Sequence, residues 1–79
     1  MLVHIQEEGM PIVVAPEKTA LRVVKVLADD KTRKHLESLG ITVDSKIEVV
    51  SKSGGSIICK VKDGRLALDG FLAAKILVV

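Results

Sequence analysis

Asp29-Asp30-Lys31-Thr32-Arg33-Lys34-His35-Leu36-Glu37-Ser38-Leu39-Gly40-Ile41-Thr42-Val43-Asp44-Ser45-Lys46-Ile47-Glu48-Val49-Val50 encodes a short helix, its stop and the strand that follows. Asp29 or Asp30 can serve as N-cap, accepting hydrogen bonds from free backbone N–H groups at the positive end of the helix dipole. Gly40 reads as the stop. With Gly40 as the left-handed residue just past the helix, Leu36 and Ile41 occupy the two positions that make the hydrophobic contact of a Schellman motif. Leu36 and Leu39 then face inward, while Lys31, Arg33, Lys34, Glu37 and Ser38 face water. A helix of about three turns is marginal alone, so it requires a sheet to pack on.

The chain on both sides supplies that sheet. Downstream, Ile47 and Val49 alternate with Lys46 and Glu48, and Ser53-Gly54-Gly55-Ser56 makes a turn into the next strand. Between Ile57 and Lys62 the alternation puts Ile57, Cys59 and Val61 on the inner face and Ile58, Lys60 and Lys62 on the other. Asp63-Gly64 is a strong type I′ hairpin signal, because both central residues of that turn need positive φ. Arg65 to Leu68 should pair back, Asp69 caps a single helical turn through Ala73 and Ala74, and Ile76 to Val79 is a last strand. Upstream, the apolar run Ile12 to Ala15, closed by Pro16, and the valine-rich run Ala20 to Leu27 read as strands. Residues 1–9 alternate weakly and could form an edge strand, but read better as a loosely ordered extension before a domain spanning 10–79. The expected fold is mainly β: a small SH3-like barrel of about five to six strands, with one short α-helix and a C-terminal helical turn.

Composition narrows the function. Among 79 residues, 48% are apolar but Phe71 is the only aromatic, so the core must be built from Val, Ile, Leu and Ala. A groove for proline-rich peptides or a platform for stacking single-stranded bases needs several aromatic rings, which disfavours both activities. Twelve basic and ten acidic side chains leave a net charge of +2, too small an excess to indicate nucleic-acid binding by itself. The lone Cys59 cannot form an internal disulfide, and the chain shows neither a secretory leader nor a run of about 20 apolar residues. A cytoplasmic setting is expected.

The order and spacing of several motifs resemble the FeoA family, small cytosolic accessory proteins of bacterial ferrous iron uptake. These are the Leu-x-x-Leu-Gly-Ile block of Leu36, Leu39, Gly40 and Ile41; Ile47 and Val49; Gly64, Leu66, Ala67 and Leu68; and an Ala-x-x-Ile-x-Val ending of Ala73, Ile76 and Val78. The resemblance spans roughly Pro11 to Val79. The chain departs from the family in two places. Val43-Asp44 stands where Pro-Gly is common, so that turn must be made differently, and Ser56 replaces a frequent proline. The resemblance implies an SH3-like barrel that works with FeoB, a membrane protein with a cytosolic GTP-binding domain that carries ferrous iron inward. It also connects the chain, more weakly, to the C-terminal barrel of iron-dependent repressors of the DtxR type.

Iron transport prompts a search for ligands among His4, His35, Cys59, Asp29, Asp30 and Glu37. They show no metal spacing: His35 has Lys31 and Leu39 one turn away, and Cys59 points inward. The expectation is no metal site and no cofactor. Catalytic signatures are equally lacking, with no Ser/His/acid or Cys/His pattern and no phosphate-cradling loop, so no enzymatic role is expected. The basic cluster Lys31, Arg33 and Lys34, with His35 beside it, lies near the end of the helix where positive charge is mildly unfavourable. It reads either as a solvated face, with Glu37 partly balancing Arg33 and Lys34, or as a partner-binding patch for an acidic or membrane-proximal surface. Two classes of function remain: an interaction module of the transporter, peripheral to the membrane at most, and a small nucleic-acid-binding or regulatory domain. The second could use Lys60, Lys62 and Arg65 to extend a basic stripe.

Overall fold

The computed structural model describes residues 9–62 and 64–79. The expected extension therefore lies outside the described residues up to position 8, His4 included, and so does Asp63. Six strands, β1 (Met10–Pro11), β2 (Ala20–Val26), β3 (Lys46–Ser53), β4 (Ser56–Val61), β5 (Gly64–Asp69) and β6 (Ile76–Val78), form one antiparallel ladder in the order β1-β6-β2-β3-β4-β5. Two helices interrupt them, α1 (Asp30–Ser38) and the single turn α2 (Gly70–Ala73). Register shifts between Val23 and Lys25 in β2 and between Val49 and Ser51 in β3 are the irregularities that bend a sheet. The six strands thus enclose one core, the SH3-like arrangement expected.

That core is entirely aliphatic apart from Cys59. Ile12, Val23, Leu36, Ile41, Val49, Cys59, Ala73, Ile76 and Val78 are fully buried, with Ile47, Ile57, Leu68 and Val61 nearly so. The inward face of β4 is therefore the one the alternation specified. Burial pushes the Cys59 thiol up to about 11, against an ordinary value of 9.0, because a thiolate there would lose its hydration. Native protein should resist thiol alkylation at neutral pH and react fully once unfolded. Because the folded value is the higher one, this group's contribution to stability falls as pH rises above 9.0, where the unfolded chain can ionise. Rapid native alkylation would place the thiol outside the core.

The helix and its stop form as the local sequence dictates. Asp29 is the N-cap, its carboxylate accepting the Thr32 N–H at 2.8 Å. Hydrogen bonding from Thr32 holds that carboxylate below its ordinary range, helped by the charges of Lys75 and Arg33. At the other end Ile41 N–H donates to the Leu36 carbonyl at 2.9 Å and Gly40 N–H to the Glu37 carbonyl at 3.0 Å. Gly40 has φ +93°. These are the two bonds of a Schellman motif.

Four expectations are corrected. The run Ile12 to Val14 is a 3₁₀ turn, not a strand; Ile12 is buried but Val14 is 64% exposed, so the segment turns a corner between β1 and β2. Leu39 is 36% exposed rather than inward, because the helix has already ended at it. Val61 pairs with Gly64, so Gly64 opens the returning strand and is not a central turn residue. Finally, Arg33 pairs with Asp30 one turn back rather than with Glu37.

Where the family commonly has Pro-Gly, the turn from Thr42 to Ser45 is made with Asp44 at φ +74°. Aspartate tolerates the left-handed region better than most side chains. Asp44 N–H donates to the Val23 carbonyl at 2.7 Å, and its carboxylate meets Arg22 at 3.0 Å. The substituted turn is thus tied back to β2.

Candidate functional site

Helix α1 buries only Leu36 and projects the rest outward. Lys31, Lys34 and His35 are exposed, and none makes an ion pair among the described residues. Arg33 differs, since Asp30 neutralises it. The usable positive charge of the predicted patch is therefore carried by Lys31 and Lys34, with His35 beside them.

A shallow groove of about 500 Å³ lies where the end of α1 meets the strands. Ala20, Gly40, Ile47 and Val61 give it an apolar lining, and Lys46, Lys60 and Lys62 border it together with Glu48. Lys60 and Lys62 were legible as alternate outward residues of a strand. Lys46 joins them only through the pairing of β3 with β4.

Phe71, the chain's one aromatic residue, is not among the site residues expected from the sequence. It stands 88% exposed on α2, whose neighbouring Ala73 is fully buried. Asp69 caps this turn, accepting the Leu72 N–H at 2.8 Å, so the ring is carried on a fixed element. Helix α2 packs against the 3₁₀ turn that carries the exposed Val14. The available signal was the single aromatic in a chain that otherwise builds its core from aliphatic residues.

No group of three or more His, Cys, Asp or Glu side chains able to hold a metal ion occurs among the described residues. His35 is exposed on the helix and Cys59 is inside the core, so the structure does not bring these two candidates together. Asp29 and Asp30 are used in capping and in pairing Arg33. No described helix is long and apolar enough to cross a membrane.

Residues 10–79 match the model of the FeoA domain family. A crystal structure of the iron uptake regulatory protein FeoA is 30% identical, with a TM-score of 0.79, covering 89% of this chain and 93% of that one. The solution structure of a FeoA-like protein from Clostridium acetobutylicum is 23% identical, with a TM-score of 0.78 over 90% of this chain and 85% of that one. A manganese-dependent transcriptional repressor shares the fold at 22% identity and a TM-score of 0.79, over 87% of this chain but only 40% of its own. No curated protein matches the chain significantly.

Proposed function

The chain belongs to the FeoA family, and on that premise we propose that it is a non-enzymatic, cytoplasmic accessory module of ferrous iron uptake. Its partner is a FeoB-type transporter, met at the cytosolic GTP-binding domain or the membrane-proximal face. The observation that carries the interaction reading is Phe71. A domain of this size needs its apolar residues inside, yet it holds its one aromatic ring almost wholly in water. Aromatic side chains dominate the energetics of protein interfaces, and an exposed ring on a capped helical turn is pre-organised for that use. Lys31 and Lys34 complement it: exposed charges of this kind accelerate encounter more than they strengthen the final complex.

The alternative, a nucleic-acid-binding or repressor-type regulatory domain, has the fold likeness and the lysines of the groove in its favour. One ring provides one stacking position, which is a poor platform for nucleic acid.

Binding to the detergent-solubilised transporter tests the reading, measured across a range of salt concentrations. Phe71→Ala should weaken association by about tenfold or more. Lys31→Glu combined with Lys34→Glu should slow association and reduce its salt dependence, with stability within about 0.5 kcal/mol of the parent protein. If the parent protein never associates, the interaction reading fails. DNA binding whose affinity falls steeply with salt would support the alternative.

A further inference from the structure

We propose that β5 is a homodimer interface, in which two copies of this chain pair their β5 edges antiparallel about a two-fold axis at Ala67. Strand β5 ends the ladder and, among the described residues, pairs only with β4. Val61 and Gly64 are separated by two residues, which makes them the hydrogen-bonded closing pair of the hairpin. Bonding alternates from there, so Lys60 and Arg65, Ile58 and Ala67, and Ser56 and Asp69 are the non-bonded pairs. The N–H groups of Arg65, Ala67 and Asp69 accordingly turn away from β4, toward the edge that no other described strand covers.

Natural edge strands are commonly blunted by charged side chains, lysine above all, by proline or by a bulge. β5 has the sequence Gly-Arg-Leu-Ala-Leu-Asp, without proline or lysine, and pairs with β4 without a register shift. Its charges are instead self-complementary. Arg65 and Asp69 stand two residues on either side of Ala67, and all three side chains are exposed. Antiparallel pairing about Ala67 sets Arg65 of each copy opposite Asp69 of the other, with the small Ala67 facing itself on the axis. This is the reciprocal pattern of an isologous contact.

A second observation shows why Arg65 needs that acid. Glu48 pairs with Lys60, and Lys60 with Arg65, so a row of charges crosses β3, β4 and β5 and ends in two like charges side by side. Like charges directly opposite one another destabilise a sheet. Asp69 of the second copy extends the row with the opposite sign. The Asp69 Oδ1 atom is occupied in capping Leu72, which leaves the second carboxylate oxygen to accept from Arg65.

Sedimentation equilibrium of the whole chain over a range of concentrations should show a monomer–dimer equilibrium. Arg65→Asp turns both cross-copy attractions into repulsions without touching the core or the α2 cap, and should weaken the dimer by about tenfold or more. Ala67→Pro removes the outward N–H and should abolish it. Mild oxidation should cross-link Ala67→Cys, whose paired Cα atoms would lie about 5.5 Å apart, and not Arg65→Cys, whose copies would lie about 14 Å apart. Circular dichroism checks that each variant folds; the cross-linking pair decides the register even if Ala67→Pro does not. A chain that stays monomeric at every concentration overturns the proposal, including one whose β5 captures only an unrelated extended peptide. So does a dimer that survives Arg65→Asp unchanged or cross-links through position 65.

Discussion

Leu36→Ala should destabilise the domain by about 3 kcal/mol and lower its melting temperature by about 12–24 °C. Leu36 is the only buried residue of α1, and it is completely buried in the common core. Truncation leaves a cavity at the one point where the helix enters that core. The other α1 side chains face water or make short-range polar contacts, such as Arg33 with Asp30. These are worth a few tenths of a kcal/mol each and cannot hold a helix of nine residues. The loss should therefore also appear as reduced helical signal in far-ultraviolet circular dichroism before the main transition. A drop in melting temperature below about 4 °C, the effect of roughly 1 kcal/mol in a domain this size, would mean that α1 is held by something other than Leu36.

Gly40→Ala is the second large effect, about 1–2 kcal/mol. Space is not the cause. A Cβ at Gly40 would sit 3.7 Å from Val61 Cγ2, an ordinary contact. The cost comes from φ +93°, where an L side chain strains the backbone. Relaxing that strain would break the bonds from Gly40 and Ile41 back to Glu37 and Leu36. Asparagine enters the left-handed region more readily than alanine, so thermal melts should rank glycine above asparagine and asparagine above alanine. If alanine proves at least as stable as asparagine, conformational strain is not what Gly40 relieves.

The residues that behaved as read are those whose partners lie within a few positions along the chain. Asp29 finds Thr32, Asp69 finds Leu72, and Gly40 and Ile41 find Glu37 and Leu36. Each is a contact a short peptide could make, so residue type and spacing were sufficient. The inner face of β4 followed in the same way, from strict alternation of Ile57, Cys59 and Val61. For the candidate site, the identity of the basic cluster was legible; that Asp30 takes Arg33 out of it was not, because Asp30 and Glu37 are both within reach on a helix and only the folded geometry selects between them.

Long-range packing decided the rest. An apolar run such as Ile12 to Val14 is compatible with a strand or a tight turn, and it becomes a 3₁₀ turn because Met10 and Pro11 must pair with Val78 and Leu77 at the far end of the chain. Phe71 is hydrophobic enough for any core, yet α2 directs Ala73 inward and leaves the ring outside. Lys46 and Lys60 meet at one groove only because β3 lies beside β4. Local sequence thus determined caps, stops and alternation, whose energies come from neighbours along the chain. Which apolar side chains are buried, and which charges share a surface, depends on contacts between distant segments that form together when the sheet closes around its core.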